Sequence, residues 1–418
     1  MLLLLALDLG YVLLVMGPAG VVYCMTYPVT VLSVAYFIIS TLLLPLMVQA
    51  FSCLVAWVIS LISSKMRNKN IITMVVSLLF LAAYFYLYSK MGDIISGLIA
   101  NGTAVAVAFK KYAFPAYYFG VGIAEHNLTY LLLYTVCTLA VFELVYAILS
   151  RSFRQITTAK KGTARIKYKE RSMHVSSPAA ALLRKDFRHF IGNPMYVLNA
   201  WMGEILLVVA CVAMLIKKDI LTEFLPILNG EGEIMGLILC VILCGLSCTN
   251  LITAPSISLE GKNLWIAQSI PVPAATVLRA KVKLQMLLCI PITALSALLM
   301  GIVLKLELLT LVLAVLVPAA FNLFTALLGV VVNLHFPKFD YINETVVIKQ
   351  SMSTMICMFG SMAVVLVLAL LYALLLSASV APTLFLAVCL VLLVIVCVLM
   401  WRYLGHGGSA RFAALQAD

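Results

Sequence analysis

The chain has 418 residues, of which 64% are hydrophobic and only 11% are charged. Soluble domains are about half apolar and about one-quarter charged, so this composition excludes an ordinary soluble globular protein. The net charge of +12 at pH 7 would suggest nucleic acid in a soluble protein. Here Lys and Arg lie in short polar stretches between apolar runs, so a topological interpretation is favoured and nucleic acid is not an expected partner.

Ten apolar runs are candidates for membrane spans, because a helix needs about 20 apolar residues to cross the hydrocarbon core. The predicted fold class is an all-α polytopic membrane protein with about ten transmembrane helices. The runs cover residues 1–22, 29–63, 71–89, 129–149, 195–216, 234–253, 276–303, 308–334, 351–377 and 383–403.

The distribution of basic residues predicts the orientation. If residue 1 is cytoplasmic, 22 of the 28 Lys and Arg residues lie in inside segments. Under the positive-inside rule, both termini are then cytoplasmic, and we expect a multi-pass protein of the cell membrane. The six basic residues left outside are Lys90, Lys110, Lys111, Lys217, Lys218 and Lys305.

The polar stretches divide the predicted helices into two bundles. We expect a first, four-helix bundle at residues 1–150, a second, six-helix bundle at 195–404 and a cytoplasmic tail at 405–418. Residues 90–128 form an outward segment with a cluster of aromatic side chains, which would suit an interfacial aromatic belt or an outer gate for substrate. Residues 151–194 form a basic cytoplasmic connector.

An internal repeat relates the two bundles when the chain is shifted against itself by 273 residues. The coincident prolines carry most of the weight, since leucine matches are frequent in so apolar a chain. The shift places Pro18 on Pro291, Pro45 on Pro318 and Lys65 on Lys338.

The connector ends in a predicted amphipathic helix. Ser177 followed by Pro178 indicates a helix start, and Gly192 and Pro194 indicate its end. A helix lying along the cytoplasmic membrane surface is favoured over a solvated one. Its apolar residues are Leu183, Phe187, Phe190 and Ile191, and its basic residues are Arg184, Lys185, Arg188 and His189.

The loop at residues 254–281 is unusual, because a polar stretch interrupts an apolar run just before an aromatic residue. Such a segment could dock into a groove of a cytoplasmic partner with Trp265 as its anchor, or form an interfacial turn. We favour docking, because a simple turn explains the tryptophan but not the polar cluster. The polar stretch contains Ser258, Glu260, Gly261, Lys262 and Asn263.

Motifs for nucleotide, metal and hydrolytic chemistry are absent from the sequence. There is no G-x-x-x-x-G-K-[ST] phosphate cradle, no H-E-x-x-H and no clustered histidines. Ionisable residues inside apolar runs are functional candidates, because burying a charge in a bilayer is costly. Asp8, Glu143 and Glu204 qualify, although interhelical structure would also explain them. Cys240, Cys244 and Cys248 share one helix face, as packing residues would.

Three stretches resemble the permease subunits of ABC exporters of the type-2 (ABC-2) class, in particular a bacterial family of large tandem permeases. They are LLRKDFRHFIGNPMYVLN at 182–199, SLEGKNLWIAQSIPV at 258–272 and NLHFPKFDYINETVVIKQS at 333–351. The resemblance implies that residues 179–192 are the connecting helix and 258–268 the coupling helix that contacts the ATPase. Relative to that family, the first bundle lacks roughly 90 residues at its start by the repeat.

The resemblance implies the membrane subunit of an ATP-driven exporter. ATP would bind to separate cytoplasmic ATPase subunits, and this chain, itself not an enzyme, would carry no ATP-binding motif and no cofactor. The bilayer and an exported substrate would be its other partners. The alternative is a secondary active transporter with internal repeats.

Overall fold

The computed structural model describes residues 2–26, 30–64, 69–125, 127–158, 176–216, 232–377 and 379–416. In these ranges every regular element is a helix. The chain divides into two compact units, Met1–Glu170 and Arg171–Asp418. Parts of three predicted segments lie outside the described residues: the connector at 159–175, Lys65 of the repeat, and the loop lysines Lys217 and Lys218.

The first unit contains seven helices. Aromatic contacts join α6 to α7, with ring centroids of Phe119 and Tyr134 5.4 Å apart. The indole N–H of Trp57 on α2 donates to the Ser152 hydroxyl on α7 at 2.9 Å. The helices are α1 (Leu2–Thr26), α2 (Val31–Ser64), α3 (Lys69–Ser89), α4 (Met91–Ala100), α5 (Gly102–Tyr112), α6 (Phe114–Ala124) and α7 (Leu128–Thr158).

The second unit is described through eleven helices and two shorter turns. The helices are α8 (Pro178–Gly192), α9 (Pro194–Ala200), α10 (Met202–Ile216), α11 (Gly232–Ser247), α12 (Leu264–Ser269), α13 (Ala274–Val303), α14 (Leu308–His335), α15 (Glu344–Gln350), α16 (Met352–Leu371), α17 (Pro382–Gly405) and α18 (Gly407–Ala414). A 3-10 turn covers Ser258–Asn263, and a π turn covers Tyr372–Leu376.

Local sequence explains where several of these helices begin. The Ser177 hydroxyl caps α8 by accepting from the Ala180 N–H, with Pro178 in the first turn, which confirms the predicted start. Asn193 caps α9 in the same way, and Ser351 caps α16. Cys240, Cys244 and Cys248 are buried together in the apolar core of the second unit, as predicted from their helical spacing.

Seven helices, where about ten were expected, are long and apolar enough to cross a membrane. They are Leu5–Thr26, Val31–Ile59, Leu128–Ser152, Ala274–Val303, Leu308–His335, Glu344–Leu376 and Pro382–Gly405. The pair Thr73–Ser89 and Met91–Gly97, bent by 46°, would make an eighth.

Two other predicted spans are interrupted for a visible reason. The run at 195–216 breaks at Trp201, where α9 ends and the backbone pairs with Asn250. The Leu251 N–H donates to the Ala200 carbonyl at 2.8 Å, so both runs leave helical geometry at the same place. The described apolar helices there, Met202–Ile216 and Glu233–Ser247, are shorter than a full span.

Candidate functional site

The loop between α11 and α13 has a defined shape that depends on one glycine. Gly261 has a φ of +53° and a ψ of −137°, a backbone conformation essentially restricted to glycine. A Cβ at this position would also lie 2.9 Å from the Tyr341 hydroxyl. That hydroxyl donates to the Leu259 carbonyl at 3.2 Å, so the loop turns tightly against the segment that follows α14.

Asn333, near the end of α14, anchors the start of the loop. Its side-chain oxygen accepts from the backbone N–H groups of Ile257 at 2.8 Å and Ser258 at 3.1 Å. Its amide donates to the hydroxyls of Ser258 at 2.7 Å and Ser353 at 3.1 Å. The Ser258 hydroxyl also accepts from the backbone N–H of Lys338 at 2.9 Å. All of the side-chain polar atoms of Asn333 are therefore used in holding the loop.

A cluster of four charged side chains, called here the charge cluster, joins the loop to α8 and α13. It consists of Lys185, Asp186, Glu260 and Lys281. The Glu260 carboxylate accepts from the Lys185 ammonium at 2.7 and 2.8 Å and from the Lys281 ammonium at 2.8 Å. Lys281 also lies 3.5 Å from the Asp186 carboxylate and donates to the Ser256 carbonyl at 3.0 Å.

The charge cluster is formally neutral, and its members differ in exposure. The Lys281 side chain is 3% exposed and that of Glu260 11%, whereas that of Lys185 is 50% exposed. Burial acts to raise the pKa of Glu260, but the neighbouring ammonium groups of Lys281 and Lys185 outweigh it and lower this pKa to about 2. Glu260 is therefore ionised at neutral pH and bound to two cations.

Helix α8 packs on the loop through a face slightly different from the predicted one. Leu182 and Phe190 are its buried residues, and Leu182 belongs to the same apolar core as Ile257 and Leu264. Leu183 and Phe187 are half-buried, and Arg184 and Arg188 are exposed. The inner face therefore runs through residues 182, 186 and 190, at helical spacing, so that Asp186 points toward the loop.

The C-terminal helix α18 supports the other end of the loop. The Gln268 side chain on α12 donates to the carbonyls of Phe412 at 2.8 Å and Leu415 at 2.9 Å. The Arg411 side chain donates to the Leu334 carbonyl at the end of α14 at 2.9 Å. The short helix α12 is consequently held between α14 and the end of the chain.

One side of the loop remains open. Trp265 is 64% exposed and Ile266 45%, and Lys262 and Asn263 next to them are also exposed. We call these four residues the loop surface. Large apolar side chains held outward by a rigid loop are typical of a contact with another protein.

The predicted site residues thus fall into three groups. Lys262, Asn263 and Trp265 are exposed on the loop surface, whereas Ser258 and Gly261 are buried and determine the loop's shape. Glu260 and Lys185, predicted for different helices, are brought together in the charge cluster. The other residues predicted for α8 do not enter the cluster.

Sequence reasoning missed Asp186, Lys281 and Asn333. A signal for Lys281 existed, because it follows the start of a long apolar run, where an ionisable residue is costly without a partner. The ionisable residues singled out earlier differ in burial: Asp8 is half-buried, Glu143 is exposed and Glu204 is buried. Across the described ranges, no group of three or more His, Cys, Asp or Glu residues could hold a metal ion.

Comparison with known proteins gives one family. The family described as "Putative ATP-binding cassette" matches residues 94–401 of the 418. No curated protein and no solved structure matches the chain.

The match corrects two expectations from the sequence, namely that the chain carries no ATP-binding motif and that ATP binds on a partner subunit instead. A match to an ATP-binding cassette over residues 94–401 points to an ATP-binding chain. The absence of G-x-x-x-x-G-K-[ST] excludes one type of phosphate cradle only, since backbone N–H groups at helix N-termini also bind phosphate. Because the match covers well over half of the residues, the chain belongs to the family described as "Putative ATP-binding cassette".

Proposed function

We propose that the chain is the membrane-spanning permease subunit of an ABC exporter of the ABC-2 type, located in the cell membrane. In this proposal residues 1–150 and 195–404 form the two transmembrane bundles, and 151–194 is a cytoplasmic connector ending in α8. Both termini are cytoplasmic. The family and the seven helices of membrane-spanning length support the coarse assignment.

The observation that carries the proposal is the loop surface. Trp265 projects from a loop whose backbone is fixed by Asn333 and Gly261, so little conformational entropy remains to be lost on binding. Tryptophan is among the residues that most often dominate the binding energy of a protein interface. We infer that an ATPase subunit binds here, with Lys262 and Asn263 contributing polar contacts around the tryptophan.

The charge cluster supplies the mechanical connection from that surface to the helices. Glu260 lies in the loop, and its partner Lys281 lies on α13. A displacement of the loop by an ATPase would therefore be passed to α13, and through the packing of α13 on α14 to the rest of the second unit. Such a displacement would switch substrate access from one side of the membrane to the other.

The test is an affinity pull-down of the full chain from native membranes in mild detergent, combined with an ATPase assay of the recovered complex. We expect Trp265→Ala to lower ATPase recovery at least tenfold, because an interface anchor contributes about 2 kcal/mol or more. The control is Phe359→Ala on α16, which removes another exposed aromatic side chain. Equal recovery from both variants would contradict the assignment of the loop surface.

The alternative of a secondary active transporter is favoured by a different observation. Pro18 and Pro45 lie inside consecutive long helices of the first unit, and Pro291 and Pro318 lie inside consecutive long helices of the second. Internal repeats of this kind are frequent in secondary transporters. Transport by the purified chain in vesicles without ATP, driven by an ion gradient alone, would select this alternative.

A further inference from the structure

The carboxyl group of Glu204, on α10, lies inside the second unit without a counter-ion. The residue is 1% exposed. Its Oε1 accepts from the Asn250 amide at 2.9 Å and from the Thr293 hydroxyl at 2.8 Å. Its Oε2 is buried and has no hydrogen-bond partner. Among the residues that the structure describes, no Lys, Arg or His comes within 4.0 Å of this carboxyl group.

Close packing of α10 against the end of α11 fixes this position. A Cβ at Gly203 would collide with the Leu246 carbonyl and would lie 2.7 Å from the Asn250 side-chain oxygen. The backbone N–H of Glu204 donates to that same oxygen at 3.2 Å. Both ends of the Asn250 amide are thus bound to Glu204, and the carboxyl group has no room to move toward water.

The polar neighbours of Glu204 come from three other segments and are all uncharged amides or hydroxyls. The Asn322 amide on α14 donates to the Thr293 hydroxyl at 2.9 Å and to the Ser247 hydroxyl at 3.0 Å. The Asn250 amide also lies 3.3 Å from the Asn322 oxygen. On α13, the titratable thiol of Cys289 is close enough to Glu204 to interact electrostatically. A carboxylate there would face no positive charge on α11, α13 or α14.

We propose that Glu204 is a proton-binding site and that its carboxyl group carries a proton on Oε2 in this conformation. An ionised carboxylate buried without a cation costs far more than a neutral acid with one unsatisfied oxygen. A metal ion fits less well, because N–H and O–H donors already occupy the side of Oε1 and the neighbouring oxygens accept bonds from those donors. The proton comes from water and returns to it when α10 and α13 separate.

This assignment depends on the interior of the second unit alone and is independent of the ATPase contact at the loop surface. Separation of α10 from α13 would admit water to Oε2 and favour the ionised form. Each opening and closing of the junction would then release and take up one proton. The chain would in this way carry a proton-linked conformational step in addition to the movement of its loop.

The test is infrared difference spectroscopy of the full chain in lipid nanodiscs, following the carbonyl stretch of un-ionised carboxylic acid groups in H₂O and D₂O. We expect the wild type to show such a band at pH 7, Glu204→Gln to lose it, and the control Glu233→Gln to retain it. Glu233 is a half-buried glutamate on α11 whose carboxylate lies 3.4 Å from the Thr383 hydroxyl. A wild type without the band at pH 7 would overturn the proposal.

Two further measurements protect the test against misfolding of the glutamine variant and against a cation. Thr293→Val removes a hydroxyl that donates to Oε1 and keeps the shape, so the acid band should move to higher frequency in otherwise native protein. A band that does not move would show that it belongs to another group. If Na⁺ abolishes the band and raises the thermal midpoint of the wild type, the site binds a metal cation and the proton assignment is wrong.

Discussion

Replacement of Lys281 by methionine tests whether the charge cluster is a structural connection. The Lys281 ammonium has three oxygen partners, at 2.8, 3.0 and 3.5 Å, and its side chain is 3% exposed. Methionine fills a similar volume but leaves two partly buried carboxylates, Asp186 and Glu260, without the cation between them. Removing one partner of a buried ion pair costs about 3–5 kcal/mol, since the remaining charge stays buried.

Lys185→Met is the matched control, because it also deletes one ammonium bound to Glu260. The Lys185 side chain is 50% exposed, so water screens its interaction, and a pair of this kind contributes about 0–1 kcal/mol. For a domain of roughly this size, 1 kcal/mol shifts the thermal midpoint by about 2–4 °C. We therefore expect a fall of roughly 6–20 °C for Lys281→Met and of no more than about 4 °C for Lys185→Met.

The assay is thermal unfolding of the full chain in detergent, followed by thiol labelling of the buried cysteines. The double variant Lys281→Met with Glu260→Gln should recover part of the loss, because it removes one of the two stranded carboxylates. Equal effects of the two lysine variants would refute the reasoning, since burial would then not decide the strength of each pair.

Two other predictions concern the loop itself. The lowered pKa of Glu260 means that its ion pairs stabilise the fold fully above the ordinary glutamate pKa of about 4.3, and this contribution is lost as the pH falls toward 2. Between pH 5 and pH 3 the thermal midpoint of the wild type should fall more than that of Glu260→Gln; parallel curves would contradict this. Gly261→Ala should lower stability by about 1–3 kcal/mol, because alanine is strained at a φ of +53° and its Cβ would meet Tyr341. Gly360→Ala, with open space around its Cβ, should change the same denaturation midpoint little or raise it.

Local features were predictable from the sequence, because they depend on neighbours in the chain. The start of α8 at Ser177 and Pro178 follows from capping and the fixed φ of proline. The polar interruption before Trp265 correctly marked a break between two long helices. Membrane-spanning length was also readable from composition, although the number of spans was overestimated at the break near Trp201.

Long-range pairings could not be read from the sequence. Asp186 and Lys281 are far apart in the chain, and each looks like an ordinary charge in its own segment. Asn250, Thr293 and Asn322 are likewise single polar residues in apolar runs, and only the helix packing gathers them around Glu204. The family match adds a similar lesson, because a search for one phosphate-binding pattern could not exclude ATP.

The unequal burial of the two lysines determines how the loop is held. Buried ion pairs often stabilise a fold no better than apolar packing would, so their value lies in fixing one geometry. Glu260 is bound to Lys281 in a nearly dry environment but to Lys185 at the edge of the solvent. Water or an acidic group of a partner can therefore compete for Lys185 but hardly for Lys281. A force applied at the loop surface would separate the loop from α8 first and would carry α13 with it.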